Sequence, residues 1–168
     1  SKNTRFLTHA AVIAALYAVL THLQNVLLPG STTWAIQMRL SEALCVLSFF
    51  TPAAIPGLTV GCLVFNITYA AALPLDFLVG SLATLLAAGG MWLTRRATVK
   101  GYPLVGMAMP ALFNALLVGW ELTVYIGGGF FLNALYVALG ELAVLLTFGT
   151  VLYYAVKKRH LDTTVFSA

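Results

Sequence analysis

Charged residues are scarce in this chain. Asp, Glu, Lys and Arg together make up 8% of its 168 residues, and 61% of the residues are hydrophobic, whereas charge amounts to roughly 25% in an ordinary soluble domain. A helix that crosses a membrane requires about 20 mostly apolar residues. The sequence therefore predicts an all-α membrane protein with six transmembrane helices. Residues 1–168 form one integral-membrane domain in this interpretation, which leaves no room for a soluble nucleotide-binding domain.

Motifs of common enzymes and metal sites are missing as well. The sequence has no H-E-x-x-H, no Gly-rich phosphate loop ending in Lys-Ser/Thr, and no G-x-S-x-G. Its two cysteines, Cys45 and Cys62, lie within apolar runs, so we expect buried thiols rather than a disulfide. Without a Cys/His cluster a transition-metal site is not expected. We therefore expect neither an enzyme nor a bound cofactor or metal.

The basic residues fall into clusters next to predicted helix ends. Proline, glycine and charge divide the chain into predicted helices at about residues 6–28, 37–50, 56–73, 76–94, 102–126 and 130–156. Six spans put both termini and the loop near residue 98 on one side, and all three basic clusters fall there. The positive-inside rule makes this side cytoplasmic. The isoelectric point near 9.3 thus reflects membrane orientation, and no nucleic-acid partner is expected.

Acidic residues occur at membrane depth. Four of the five lie in or at the ends of predicted spans: Glu42, Asp76, Glu121 and Glu141. In this topology the first three belong to the outer half of the membrane, and Glu141 lies nearest the midplane. A carboxylate within the membrane is costly and marks a functional site by default. The pattern predicts an acidic, water-filled pocket, open to the outside, for a small cationic or amide-rich molecule.

Other polar residues accompany these acids. Arg39 lies three residues before Glu42 on one helix face, and Asn66 and Asn114 supply amides at membrane depth. Structural interpretations stay open for several of them. Asp76 would then cap the fourth helix, Arg39 would only neutralise Glu42, and the amides would join helices by hydrogen bonds. A structural interpretation is weaker for Glu121 and Glu141, because an unpaired carboxylate at this depth is costly.

The first predicted helix has a side of small residues. The alanines concerned are Ala10, Ala11, Ala14, Ala15 and Ala18. Small residues four apart allow another helix to approach closely. The pattern fits either packing within the chain or a docking surface for another membrane subunit.

Four segments resemble a known family. They are QMRLSEALCVLSFFTPAAIPGLTVGCLVFN, LDFLVGSLATLLAA, FNALLVGWEL and YVALGELAVL, in that order, within residues 6–146. They resemble the QueT family of queuosine-precursor transporters, which are the substrate-binding S components of energy-coupling factor (ECF) transporters. The resemblance implies an S-component-like bundle of six helices with an outward-side pocket. It also implies a multi-pass protein of the bacterial plasma membrane that assembles with a transmembrane T component and two cytoplasmic ATPases.

The same resemblance implies a ligand and its binding residues. The ligand would be a queuosine precursor, either the aminomethyl-deazaguanine base or queuine, and ATP would be hydrolysed on the partner subunits. Carried over by motif, the substrate-binding residues are Arg39, Glu42, Asn66, Asp76, Asn114, Glu121 and Glu141. The implied contacts with the T component are Ala10, Ala11, Ala14, Ala15 and Ala18.

Three alternatives remain at this point. The chain could be an S component for another small cationic or purine-like micronutrient. It could be a stand-alone proton-coupled carrier with Glu141 as proton relay, or a structural membrane protein whose acids only join helices. Saturable binding of a ligand separates the transporters from the structural protein. Dependence of uptake on partner ATPases separates an S component from a carrier.

Overall fold

A computed structural model of the chain describes residues 2–29, 39–68 and 76–166, and every regular element in this part is helical. The elements are α1 (Lys2–Leu27), a 3-10 helix (Leu40–Phe49), α2 (Ala54–Thr68), α3 (Asp76–Leu93), α4 (Leu104–Tyr125), α5 (Phe130–Val144), a π-helical turn (Leu145–Gly149), α6 (Thr150–Lys158) and α7 (Leu161–Thr164). The prediction of an all-α protein is therefore confirmed for the described residues.

Three of these helices are long and apolar enough to cross a membrane. They are α1, α4 and the continuous helix Phe130–Lys158 that joins α5, the π-helical turn and α6. Shorter apolar helices are Leu40–Phe49, Ala54–Thr68 and Phe77–Leu93. The predicted bounds agree with the structure to within a few residues where they can be compared. The start of the second predicted helix (residues 37–38) and the end of the third (residues 69–73) lie outside the described part. The chain is thus a membrane protein by the length and composition of its helices.

The second predicted helix differs from an ordinary α-helix. Leu40–Phe49 is a 3-10 helix, and all nine residues from Ser41 to Phe49 are buried. Runs of 3-10 helix beyond three or four residues are uncommon. At about 2.0 Å per residue, against about 1.5 Å in an α-helix, such a segment is longer and thinner for the same residues. Packing on every side outweighs the local preference for an α-helix here. No pattern in the sequence predicts the 3-10 form.

The 3-10 helix lies at the centre of the bundle. Neighbouring helices pack in chain order, α1 on α2, α2 on α3, α3 on α4 and α4 on α5, and the 3-10 helix contacts all of α1 to α6. The α1–α2 pair is especially close. A Cβ atom added to Gly57 or Gly61 of α2 would lie 2.8 Å from the carbonyl oxygen of Ala10 or Ala14, respectively. Small residues four apart on both helices allow this approach.

Both chain termini lie at one end of the bundle. The Arg5 guanidinium donates hydrogen bonds to the carbonyl oxygens of Thr164 (2.9 Å) and Val165 (2.8 Å). The hydroxyl of Tyr102, in the connection between α3 and α4, is 2.7 Å from that of Thr150 at the start of α6. We call this the terminal end, and the opposite end, with the turn around Gly128, the far end. The three basic clusters therefore share the terminal end.

An aromatic cluster fills the terminal end. Tyr153 is its centre, with ring centroids 5.8 Å from Phe49, 5.3 Å from Phe50 and 6.4 Å from Tyr102. Phe49 and Tyr153 are buried. Aromatic contacts at these separations add to the energy of apolar burial. The bundle thus has a packed, apolar base at the end that carries the basic residues.

Candidate functional site

A polar cavity lies between the helices toward the far end. Its lining residues are Arg39, Glu42, Cys62, Asn66, Gly80, Thr84, Asn114, Val118 and Glu141. They come from the start of the 3-10 helix, the last turns of α2, the first half of α3, and α4 and α5. Five of the seven predicted substrate-binding residues are thereby brought together, from segments up to about 100 residues apart in the chain.

The cavity is narrow as it stands. The space open to the centre of a water molecule is about 10 Å³, which is room for about one water. Pockets for small organic ligands measure roughly 300–1,000 Å³. A ligand of the size of a purine base can therefore enter only when the cavity walls move apart.

Glu42 is held by two donors of the protein itself. The Tyr17 hydroxyl donates to Oε1 at 2.6 Å, and the Cys45 thiol lies 3.3 Å from Oε2. The Tyr17 side chain is fully buried and Glu42 is 3% exposed. A hydrogen bond of this length from a hydroxyl to a carboxylate is of the strong, charge-assisted kind. Glu42 thus enters the cavity wall with a fixed orientation.

Glu141 is placed differently. It is 5% exposed, and its Oε2 has no hydrogen-bond partner among the described residues. Glu42 and Arg39 are close enough to interact with it electrostatically. A buried acceptor without a donor carries a desolvation cost of about 1–3 kcal/mol. Glu141 is therefore the carboxylate of this cavity with the most to gain from a ligand that donates hydrogen bonds.

Arg39 supplies the positive charge of the cavity. Its guanidinium carbon lies 5.2 Å from the centroid of the Phe65 ring, and the centroid of the His22 ring lies 4.8 Å from the same ring. Arg39 also interacts electrostatically with Glu42. When all three groups are ionised, one guanidinium (+1) and the carboxylates of Glu42 and Glu141 (−2) leave the lining with a net charge of −1. The cavity is thus complementary to a monocation that also carries hydrogen-bond acceptors.

The two predicted amides lie in the cavity wall. The Asn114 amide nitrogen donates to the carbonyl oxygen of Pro110 at 2.8 Å, and that of Asn66 lies 3.4 Å from the Cys62 sulfur. Gly80 makes space for Asn66, since a Cβ atom there would come within 3.0 Å of the Asn66 amide nitrogen. Both amide nitrogens are thereby held from within their own helices, which fixes the amide planes.

Of the other two predicted residues, Glu121 is not among those that line the cavity, and the side chain of Asp76 is not described. Glu121 is fully buried in α4, seven residues or about 10 Å along the helix axis from Asn114. Asp76 begins α3, as predicted for a residue at a helix start, but its side chain lies outside the described part of the structure. Roles for both in substrate binding stay predictions.

The alanines of α1 divide between two surroundings. Ala10 and Ala14 are half-buried against α2, where they face Gly57 and Gly61. Ala11 and Ala15 are exposed, and Ala18 is half-buried. The interpretation as packing within the chain therefore applies to Ala10 and Ala14, and the prediction of a partner contact now rests chiefly on Ala11 and Ala15.

The sequence analysis assigned no role to a row of polar residues on α1. Tyr17, Thr21 and Gln24 are buried, and each bonds to the start of the 3-10 helix. Besides the Tyr17–Glu42 bond, the hydroxyls of Thr21 and Ser41 are 2.6 Å apart, and the Leu40 amide donates to Gln24 Oε1 at 2.9 Å. We call these contacts the polar row. The spacing of these residues in the sequence, four and then three, could have predicted the row, because it puts polar groups on one face of an apolar helix.

The groups that line the cavity are mainly hydrogen-bond donors and acceptors. The described residues contain no group of three or more His, Cys, Asp or Glu side chains that could hold a metal ion. What the cavity offers is two carboxyl groups, one guanidinium and two amides. Such a set can recognise a small polar molecule without transforming it.

Comparison with known proteins gives one finding. A family model described as QueT transporter matches residues 7–158. Comparisons with curated proteins and with solved structures give no significant match.

Proposed function

Because this chain belongs to the QueT transporter family, we propose that it is the substrate-binding S component of an ECF-type importer and that its substrate is a queuosine precursor. The observation that carries this proposal is the cavity between the helices, which gathers Arg39, Glu42, Asn66, Asn114 and Glu141. A membrane protein with such a cavity is suited to bind a polar micronutrient and release it again.

The groups of the cavity match the edges of a deazaguanine base. A guanine-like edge presents adjacent N–H donors, which a carboxylate such as Glu141 accepts well. The carbonyl oxygen of the base accepts from Arg39 or from an amide. The aminomethyl substituent is a cation, and the net charge of −1 on the lining favours it. A cationic precursor, the aminomethyl base or queuine, therefore fits better than a neutral one.

The proposal includes an assembly in the bacterial plasma membrane. Six spans with both termini in the cytoplasm put the cavity in the outer half of the membrane. A T component would contact α1 at Ala11 and Ala15, which are exposed, and two cytoplasmic ATPases would supply the energy. The narrow cavity fits an import cycle in which the site opens and closes, because these are steps that the ATPases can drive.

Binding by the purified protein tests the substrate. We expect saturable binding of the aminomethyl-deazaguanine base in detergent or nanodiscs, measured by calorimetry. A neutral deazaguanine without the amine should bind more weakly, because it leaves the negative charge of the lining uncompensated. Absence of binding for both compounds and for queuine would reject the proposed substrate.

Co-purification tests the assembly. Ala15→Leu should weaken recovery of the T component, since a bulky side chain prevents close helix approach, and leave binding of the base unchanged. Val12→Leu is the matched control, because Val12 is an exposed apolar residue of the same helix. Uptake that persists in cells without the partner ATPases would instead favour a stand-alone carrier.

A further inference from the structure

We propose that Tyr17 is a positioning residue of the substrate site, which fixes the carboxylate of Glu42 as a preset anion in the cavity wall. Tyr17 belongs to α1 and is not among the residues that line the cavity. Its hydroxyl reaches the site through the 2.6 Å bond to Glu42 Oε1. As far as it concerns the ligand, this inference rests on the function proposed above.

A tyrosine at this position needs a specific reason. The Tyr17 side chain is fully buried in an apolar bundle, where a hydroxyl without a partner would be costly. Phenylalanine would fill the same space at no such cost. The hydroxyl is therefore accounted for by its partners in the cavity wall: it donates to an oxygen of Glu42 and also interacts with Arg39 and Cys62.

The close α1–α2 contact holds Tyr17 in place. A Cβ atom on Gly61 would lie 2.8 Å from the Cβ atom of Tyr17 and 2.8 Å from the Ala14 carbonyl oxygen. The backbone of α2 therefore lies directly against the base of the tyrosine side chain. Because packed helices yield little, the position of the hydroxyl is set by two helices and not by the side chain alone.

The 3-10 helix supplies the second tether. Cys45 follows Glu42 by three residues, and side chains three apart are eclipsed in a helix with three residues per turn. This places the Cys45 sulfur 3.3 Å from Glu42 Oε2. In an α-helix the same residues would be offset by about 60° around the axis. The unusual helix thus brings the thiol over the carboxylate, and each oxygen of Glu42 is held by a separate element.

Fixing Glu42 favours binding in two ways. A flexible glutamate would lose side-chain entropy when the ligand binds, at a cost of about 0.5–1.5 kcal/mol for an ordered side chain. If the Glu42 carboxylate rotated freely, it could also compete with Glu141 for the donors of the ligand or pair more closely with Arg39. With Glu42 tethered, Glu141 is left as the carboxylate whose Oε2 has no protein donor among the described residues.

A double-mutant cycle tests this role. The proteins are the parent, Tyr17→Phe, Glu42→Met and the double variant, titrated with the aminomethyl-deazaguanine base; methionine keeps the length of the side chain but offers the Tyr17 hydroxyl no carboxyl or amide oxygen. Tyr17→Phe should weaken binding roughly 3- to 10-fold, the range of one net hydrogen bond. In the Glu42→Met background it should have no further effect on affinity, because Tyr17 acts through Glu42.

Thr21→Val is the matched control. Thr21 is the next member of the polar row, fully buried and bonded to Ser41 at 2.6 Å, so its loss also removes a bond between α1 and the 3-10 helix. The Thr21 hydroxyl bonds to Ser41 and to the carbonyl oxygen of Tyr17 and not to the Glu42 carboxylate, so affinity should stay within about 2-fold of the parent. Equal weakening by Tyr17→Phe and Thr21→Val, or by Tyr17→Phe in both backgrounds, would overturn the positioning role.

The same proteins without ligand separate this inference from the proposed function. Their unfolding midpoints in detergent should be non-additive for Tyr17→Phe and Glu42→Met, and additive for Thr21→Val and Glu42→Met. Additive midpoints for the first pair overturn the tether, whatever the parent binds. A parent that binds no base rejects the proposed substrate, while non-additive midpoints would still support the tether.

Discussion

The two ends of this bundle are built on opposite principles. The far end gathers a guanidinium, two carboxylates and two amides around a cavity, and one buried carboxylate oxygen there has no hydrogen-bond partner among the described residues. The terminal end is closed by aromatic rings packed around Tyr153 and by Arg5, which joins the two chain ends. One half of the bundle can gain energy from a ligand, whereas the other is closed by aromatic packing.

The 3-10 helix connects these two halves. Glu42, near its first residue, lines the cavity, and Phe49, its last residue, packs against Tyr153. The segment is buried along almost its whole length. A rigid base and an adaptable site on one central element are what a binding protein requires when the site must open while the fold stays intact.

The largest expected effect concerns the orientation of the two ends. In a variant with both native cysteines replaced by serine, a cysteine at Gly129 should react with a membrane-impermeant reagent from outside intact cells. A cysteine at Thr98 should react only after lysis. Both positions are exposed, and Gly129 has an ordinary φ of −78° that accepts a side chain. Labelling of Thr98 from outside would put the cavity on the cytoplasmic side and contradict the importer.

Replacement of the open carboxylate should have the next largest effect. Glu141→Gln keeps the volume but removes the charge and one acceptor oxygen. A hydrogen bond to a charged group contributes roughly 1.5–3 kcal/mol, so affinity for the aminomethyl base should fall roughly 10- to 150-fold. Calorimetry on the purified variant measures this.

Glu121→Gln provides the comparison for that variant. Glu121 is equally buried but does not line the cavity, so its replacement should weaken binding less. An equal loss in both variants would show that the ligand site extends along α4 to Glu121. Unchanged binding in Glu141→Gln would remove this residue from the site.

Opening of the cavity can be followed at Cys62. This residue lines the cavity and is 1% exposed, so a small thiol reagent reaches it only when the walls separate. In a Cys45→Ser variant Cys62 is the only cysteine left. With the base at ten times its Kd, about one-tenth of the protein is free, and modification should slow about tenfold. If the base does not change the rate of Cys62 modification, the ligand binds elsewhere.

Much of this structure follows from elementary patterns. Runs of apolar residues and the breaks around Pro29, Pro52 and Gly127 predict the helices, because an apolar segment inside a membrane has to satisfy its backbone groups by helical hydrogen bonds. The cost of carboxylates at membrane depth points to Glu42 and Glu141 before any coordinates are known. Both indeed line the cavity.

Other features depend on contacts that no local pattern contains. The 3-10 form of Leu40–Phe49 arises from packing against six helices, and Tyr17 reaches Glu42 across 25 residues of chain. Glu121 shows a second limit of prediction from sequence patterns. Because it follows Asn114 by seven residues, both lie on one buried face of α4, but spacing does not give depth along the bundle, and Glu121 is not among the residues that line the cavity.

Alanine substitutions at two glycines, one at each end of the bundle, test the two ends separately and should have the smallest effects. Gly61→Ala would crowd the base of Tyr17 at the far end, and Gly106→Ala would overlap the Phe49 ring at the terminal end. Overpacking of this kind costs about 1–3 kcal/mol of stability, so both unfolding midpoints should fall. Gly89→Ala is the control: a Cβ atom there meets nothing within 4 Å, and alanine favours the helix by up to about 1 kcal/mol.

Affinity should distinguish these variants where stability does not. Gly61→Ala shifts Tyr17 and with it the tether of Glu42, so binding of the aminomethyl base should weaken a few-fold. Gly106→Ala disturbs only the aromatic base and should leave Kd unchanged within error, like Gly89→Ala. Equal weakening by Gly61→Ala and Gly106→Ala would mean that the 3-10 helix transmits strain from the terminal end to the cavity. The two halves would then act as one unit, and a partner bound at the terminal end could change the affinity of the site.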